Sequence, residues 1–266
     1  MNRSLAQTDS PQLLISVNSL AEALIVAEYP VPIIDIKEPD HGSLGRASNE
    51  TIAEICMALQ ADPRCRLSIA LGEMADVDGS NVQLPVNSLR DVCAVDYVKF
   101  GLAGMPGLKN WRHRFLEVIQ SVSRNVSAVA VIYADHQLCN SPIPEDIVRL
   151  AVQSGCTGVL FDTCFKNRPE SGSLFDWLDP HEINRIVTPA RAAGLFVAVA
   201  GSLGIGDITT ALKCAPDVIG FRGAVCHEQR RHLDEDRLIE LLSEFASQSA
   251  SGSRFRNLCQ APRSRD

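Results

Sequence analysis

The chain has 266 residues, 45% hydrophobic and 21% charged, with a formal net charge of −7. That balance is ordinary for a folded soluble protein and too acidic for nucleic acid as a bulk partner, although helix N-termini and a few cations can still hold a phosphate locally. Nine cysteines, an odd number, include no Cys-x-x-Cys pair, so metal-site spacing is missing and a disulfide framework is not expected at this size.

Residues 1–11 are polar and read as a loose arm, without the apolar core of a signal peptide. Beyond them short apolar or β-branched runs alternate with loops and helical-period segments. The runs are LLISV (13–17), VPIIDIK (31–37), RLSIALG (66–72), YVKFGL (97–102), VSAVAVIYA (126–134), GVLFDT (158–163), LFVAVAG (195–201) and VIGFRGAVC (218–226). Helices are expected between them, for example over 49–59, 110–122 and 144–155, where Pro144 suits a first turn and Gly155 a helix stop. DRLIELLSEFAS (236–247) closes the set. Eight strand–helix alternations predict an α/β fold, a single (β/α)₈ TIM barrel over residues 12–247. An open doubly wound sheet is the competitor, but it carries a glycine-rich turn after its first strand, and SVNSLAEAL has no glycine. Residues 248–266 are Ser/Arg-rich and expected to be a disordered tail. Cys56, Cys93, Cys156 and Cys214 fall in apolar patterns and read as small core residues, which points to a reducing, cytoplasmic setting. No apolar run approaches a membrane span, so no membrane partner is expected.

In such a barrel the chemistry lies at the C-terminal strand ends. The second run ends in Asp35 and Lys37, on one face by alternation; the fourth offers Lys99; the sixth ends in Asp162, with Lys166 four residues on. Three of the five lysines therefore fall at strand ends, although lysines normally decorate solvent-facing helices. Each taken alone reads equally as half of a buried ion pair supporting the barrel, but charged layers in a core are costly unless used. Crowded, partly buried ammonium groups disfavour one another's charge, so one can be neutral near pH 7 and attack a carbonyl to form a Schiff base. A second lysine or an aspartate can then move protons. Gly201-Ser202-Leu203-Gly204 and Arg222-Gly223 read as a phosphate cup at the seventh and eighth strand ends, with Arg222 either clamping phosphate or pairing with an internal carboxylate. Loop 38–45, EPDHGSLG, reads as a second phosphate holder or a lid. His41 and His136 read as surface loop residues, Asp135 as a cap or a catalytic group, Glu73 as undecided and Cys226 as core.

The stretches IIDIKEPDHGSLG, DYVKFGL, YAD, DTCFK, AGSLG and GFRGAVC, in this order over residues 13–242, resemble the (5-formylfuran-3-yl)methyl phosphate synthase family. The resemblance implies a (β/α)₈ lyase that joins two glyceraldehyde 3-phosphates into 4-(hydroxymethyl)-2-furancarboxaldehyde phosphate, with loss of phosphate and two waters, for methanofuran-type cofactor synthesis. It implies Lys37 as the Schiff-base lysine, Lys99 as proton acceptor, Asp162 and Lys166 as a paired acid and lysine, and Asp35 as the strand-two aspartate. The partner implied is a small triose phosphate; no cofactor or metal is expected, and a homo-oligomer is left open. Two departures from the family pattern stand out: NRPESGSLFD after Lys166, and HEQRR after Cys226, where Arg230 or Arg231 are candidates for the second phosphate. Two other classes remain. One is a barrel like orotidine phosphate decarboxylase, using Asp-x-Lys without an imine; the other is a non-catalytic sugar-phosphate binder. A metal-dependent epimerase lacks clustered ligands at the strand ends.

Overall fold

The computed structural model describes residues 10–76, 95–122, 125–166, 171–227 and 232–259. Eight parallel strands close in chain order into one barrel: β1 Gln12–Val17, β2 Ile33–Ile36, β3 Arg66–Glu73, β4 Tyr97–Gly101, β5 Ser127–Tyr133, β6 Gly158–Asp162, β7 Phe196–Val199 and β8 Val218–Phe221. Each of the eight apolar runs supplies one strand. They are nearly continuous in hydrophobicity because helices cover the outside and side chains fill the inside, so both faces are buried. Ile34 and Ile36 face the helical layer while Ile33 faces the interior with Tyr97, Val131, Leu160 and Ala198.

Around the barrel lie α1 Leu20–Ala27, α2 Asn49–Leu59, α3 Trp111–Ser121, α4 Pro144–Ser154, α5 Pro180–Ala192, α6 Ile208–Lys213 and α7 Glu235–Cys259. The connection from β3 to β4 runs through residues outside those described. Helix starts follow local chemistry: Ser19, Ser48 and Asp179 each accept a first-turn amide, from Glu22, Thr51 and Glu182. Pro144 opens α4, and Gly155 ends it in the left-handed conformation at φ +81°. No helix among the described residues is long and apolar enough to cross a membrane.

Two expectations need correction. Helix α7 continues through Cys259, so residues 248–259 are helical and the barrel's last element does not stop at 247. A polar composition does not break a helix, and no proline occurs there before Pro262. Cys56 is wholly buried on α2 as expected of a core residue, but its sulfur is in a disulfide; spacing along the chain carries no information about pairs made between distant segments. Cys156 and Cys214 are buried free thiols, pushed up by burial to about 11 and about 12, while Cys93 lies outside the described residues.

Candidate active site

Strand alternation sorts the site into layers. Ile33, Tyr97 and Leu160 point into the barrel, so Asp35 and Lys37 on β2, Lys99 and Gly101 on β4, and Asp162 on β6 share that inward face. Lys37 lies one residue past β2, held in line by its amide donating to Val17 O at 3.0 Å. Asp35, Lys37, Lys99, Asp162 and Lys166 together with Gly201, Ser202 and Arg222 line one cleft of about 430 Å³, open to solvent.

The charges are paired with one exception. Lys99 Nζ is 2.7 Å from Asp35 Oδ1, both groups buried, and Ser16 donates its hydroxyl to Asp35 Oδ2 at 3.0 Å. Lys166 Nζ contacts Asp162 Oδ1 and donates to Thr163 Oγ1 at 2.7 Å. Asp162 also accepts the Thr163 amide at 2.8 Å and the Ser43 hydroxyl at 3.3 Å. Burial pushes both aspartates up, but Lys99 and Lys37 together hold Asp35 below the usual carboxylate range, and Lys166 and Lys37 do the same for Asp162. Lys37 has no carboxylate within ion-pairing distance among the described residues. Burial pushes its ammonium down to about 7; Asp162 and Asp35 oppose that shift, while Lys166 and Lys99 add to it.

Loops complete the mouth. Loop 38–45 folds back over it, burying Ser43 and Leu44 and carrying Ser43 across to Asp162. After β7, Gly201 (φ +100°) and Ser202 (φ +53°) both take left-handed backbone. A Cβ on Gly201 would sit 3.0 Å from the Thr163 amide, so this loop packs directly on the end of β6. Gly204 and Gly223 lie outside the cleft lining, and the Gly204 amide is already bonded to Asp207 Oδ2 at 2.8 Å. Arg222 takes the second of the two roles foreseen for it, as partner of an internal carboxylate: its guanidinium contacts Glu22 through both terminal nitrogens and donates to Ser16 O at 3.0 Å. Asp135 accepts the Cys164 and Phe165 amides at 2.7 and 3.0 Å, fixing the loop that presents Lys166. His41 is exposed, His136 half-buried, and Cys226 is core. Arg230 and Arg231 lie outside the described residues.

A family model described as 4-HFC-P synthase matches residues 13–241, nearly the whole barrel. The chain belongs to that family. It is 30% identical over 236 residues to "(5-formylfuran-3-yl)methyl phosphate synthase" of Archaeoglobus fulgidus, covering 88% of this chain and 98% of the relative. It is 32% identical over 241 residues to the enzyme of the same name from Methanothermobacter thermautotrophicus, covering 88% and 99%. Similarity to solved structures shows the fold alone. Phosphoribosyl anthranilate isomerase from Thermus thermophilus superposes with a TM-score of 0.59 at 17% identity over 89% of this chain and 98% of that one. 3-Hexulose-6-phosphate synthase from Salmonella typhimurium gives 0.57 at 19%, over 88% and 99%. Against the furan phosphate synthase family, sequence reasoning singled out the lysines and aspartates of this mouth but not Ser43, Ser16 or Tyr133, whose roles depend on where loops and rings reach in three dimensions.

Proposed function

We propose that the protein condenses two glyceraldehyde 3-phosphates into 4-(hydroxymethyl)-2-furancarboxaldehyde phosphate through an imine on Lys37. One observation carries this reading: of the three clustered lysines, Lys37 alone lacks a carboxylate partner among the described residues and is brought to about 7, so a large share of it is the nucleophilic free amine at neutral pH. The Lys37 nitrogen adds to the aldehyde carbon of one triose, and water leaves. The iminium then acidifies the neighbouring carbon, whose proton the Lys99–Asp35 pair accepts, Lys99 acting as the base once its own proton has passed to Asp35. Electrons from that C–H bond expel the phosphate at the next carbon. The second triose first shifts its carbonyl from the end carbon to the central one, so that aldol addition there gives the branched C6 chain; ring closure and dehydration follow, with Asp162 and Lys166 moving protons. Hydrolysis of the imine then takes back the water lost in forming it and frees Lys37, so two C3 phosphates become one C6 phosphate, one inorganic phosphate and two waters. Gly201, Ser202 and Arg222 border the space where the first phosphate would sit.

Borohydride trapping tests this. The protein is incubated with glyceraldehyde 3-phosphate, reduced, digested and mapped by mass spectrometry. A triose-derived adduct on the Lys37 peptide, absent in Lys37→Ala, is expected. A folded, substrate-binding protein with no adduct on any lysine would sink the imine and favour a lysine acting only as a cation.

A further inference from the structure

Glu73 ends β3 out of phase. Ser68 and Ala70 face the barrel interior, so strict alternation would send Glu73 outward. Instead the β3–β4 register slips between Ala70 and Glu73, and Gly72 takes φ +84°. Such a bulge re-aims the next side chain. The Glu73 carboxylate consequently lands where a Cβ on Gly101 would be. Gly101 follows Lys99 by two residues on the inward face of β4, so the carboxylate lies at the C-terminal end of the barrel interior beyond the Lys99 position, beside rather than among the residues that line the cleft. There it accepts the Tyr133 hydroxyl on Oε1 at 2.5 Å and the Ala103 amide on Oε2 at 2.8 Å. Tyr133 is wholly buried, and in the β5–β6 ladder it stands opposite Asp162.

We propose that Glu73 is a further catalytic residue of the condensation proposed above, on which this inference rests: the acid that protonates a leaving hydroxyl of the substrate on the β3–β5 side of the mouth. Both water losses after carbon–carbon bond formation need such an acid. The Glu73 proton moves to the hydroxyl oxygen, the C–O bond breaks with its electron pair, and water departs. The electrons of the adjacent C–H bond, whose proton a lysine amine takes, form the new double bond. The carboxylate left behind keeps two donors already aimed at it, so it needs no rearrangement to be stabilised. Burial pushes Glu73 above the usual carboxylate range, opposed by Tyr133 and the Ala103 amide and helped by Asp76 beyond β3 and Asp162 on β6. That direction favours the protonated acid.

The test compares Glu73→Gln and Tyr133→Phe with the parent by kcat, KM, kcat–pH profile and Lys37 trapping. Glu73→Gln is expected to lower kcat by about 10²–10⁴-fold, to lose the basic limb of the profile and to leave trapping within about twofold. Tyr133→Phe removes a donor to the carboxylate, so that limb should move to higher pH. A Glu73→Gln protein with kcat within threefold of the parent and the same limb overturns the assignment, as does a loss of activity accompanied by unfolding in Glu73→Gln with an unshifted limb in Tyr133→Phe. Failure of the parent itself to trap on Lys37 or to turn over the triose rejects the underlying reaction, and this role falls with it.

Discussion

Lysine at its ordinary 10.5 is neutral in roughly one molecule in three thousand at pH 7, whereas at about 7 it is neutral in roughly half. The rate at which Lys37 is captured as a reduced imine should therefore rise through about pH 7 and level off, about three pH units earlier than for a solvated lysine. Lys166→Gln tests the cause. It removes a cation that disfavours the Lys37 charge and frees Asp162, now bound to Lys166, to turn towards Lys37. Both effects favour the ammonium, so the midpoint should move up by about one to two pH units. At pH 7 the neutral fraction then drops from about a half to between about a tenth and a hundredth, and trapping slows about 5- to 50-fold. Above about pH 9.5 parent and variant should converge, because both amines are then neutral. The assay is cyanoborohydride capture of glyceraldehyde 3-phosphate at short times, quantified on the Lys37 peptide from pH 5.5 to 10. A parent midpoint near 10, or an unmoved midpoint in Lys166→Gln, refutes the reasoning. A slowing equal at every pH would instead make Lys166 a proton donor to imine formation.

Three further outcomes follow from the same geometry. Lys37→Met should stabilise the fold: the unfolded lysine keeps its proton to 10.5 while the folded one releases it near 7, so the cost of holding the ammonium, at most about 5 kcal/mol, is full below pH 7. It fades between about 7 and 10.5, and urea unfolding at pH 6 and pH 10 should show a gain of about 1–3 kcal/mol only at the lower pH. Gly101→Ala puts a methyl where the Glu73 carboxylate sits, so kcat should fall at least tenfold with Lys37 trapping retained and a stability loss of about 1–3 kcal/mol. Arg222→Met leaves buried Glu22 unpaired and should cost about 3–5 kcal/mol in urea. Adding Glu22→Leu should restore most of that stability, whereas a KM for the triose that stays raised in the double variant would give Arg222 a direct role at the phosphate.

The barrel and the lysine set were legible because both rest on period two. An apolar run that ends in Asp35-Ile36-Lys37 or Val98-Lys99 places its polar residues on one face whatever the loops do, and eight such runs close in only a few ways. Glu73 was illegible for the same reason. Alternation points it outward, and only the slip at Gly72 turns it in. Gly204 read as an anion-facing amide, yet Asp207 three residues on takes that amide as a cap, a competition that glycine spacing alone does not reveal. Arg222 was left between two partners because Glu22 is 200 residues away in the chain. Ser43 reaches Asp162 only because loop 38–45 folds over the mouth, a path set by Leu44 burying itself and by its carbonyl accepting the Gly72 amide at 3.0 Å.

The count of charges explains why Lys37 and not a neighbour should be the nucleophile. Buried ammonium groups survive beside carboxylates that repay their lost hydration, and two carboxylates can serve two lysines. Asp35 is taken by Lys99 from the inward face of β4, two strands away, and Asp162 by Lys166 from its own loop, where the Thr163 hydroxyl and amide tighten the geometry. A third lysine in the same mouth feels both carboxylates and both cations at a distance and is bonded to none, so burial decides its state. Two lysines for the two carboxylates would have left every amine protonated and inert towards an aldehyde. In the proposed reaction the odd one out is the reagent, and the two ion pairs that look structural are what keep it that way.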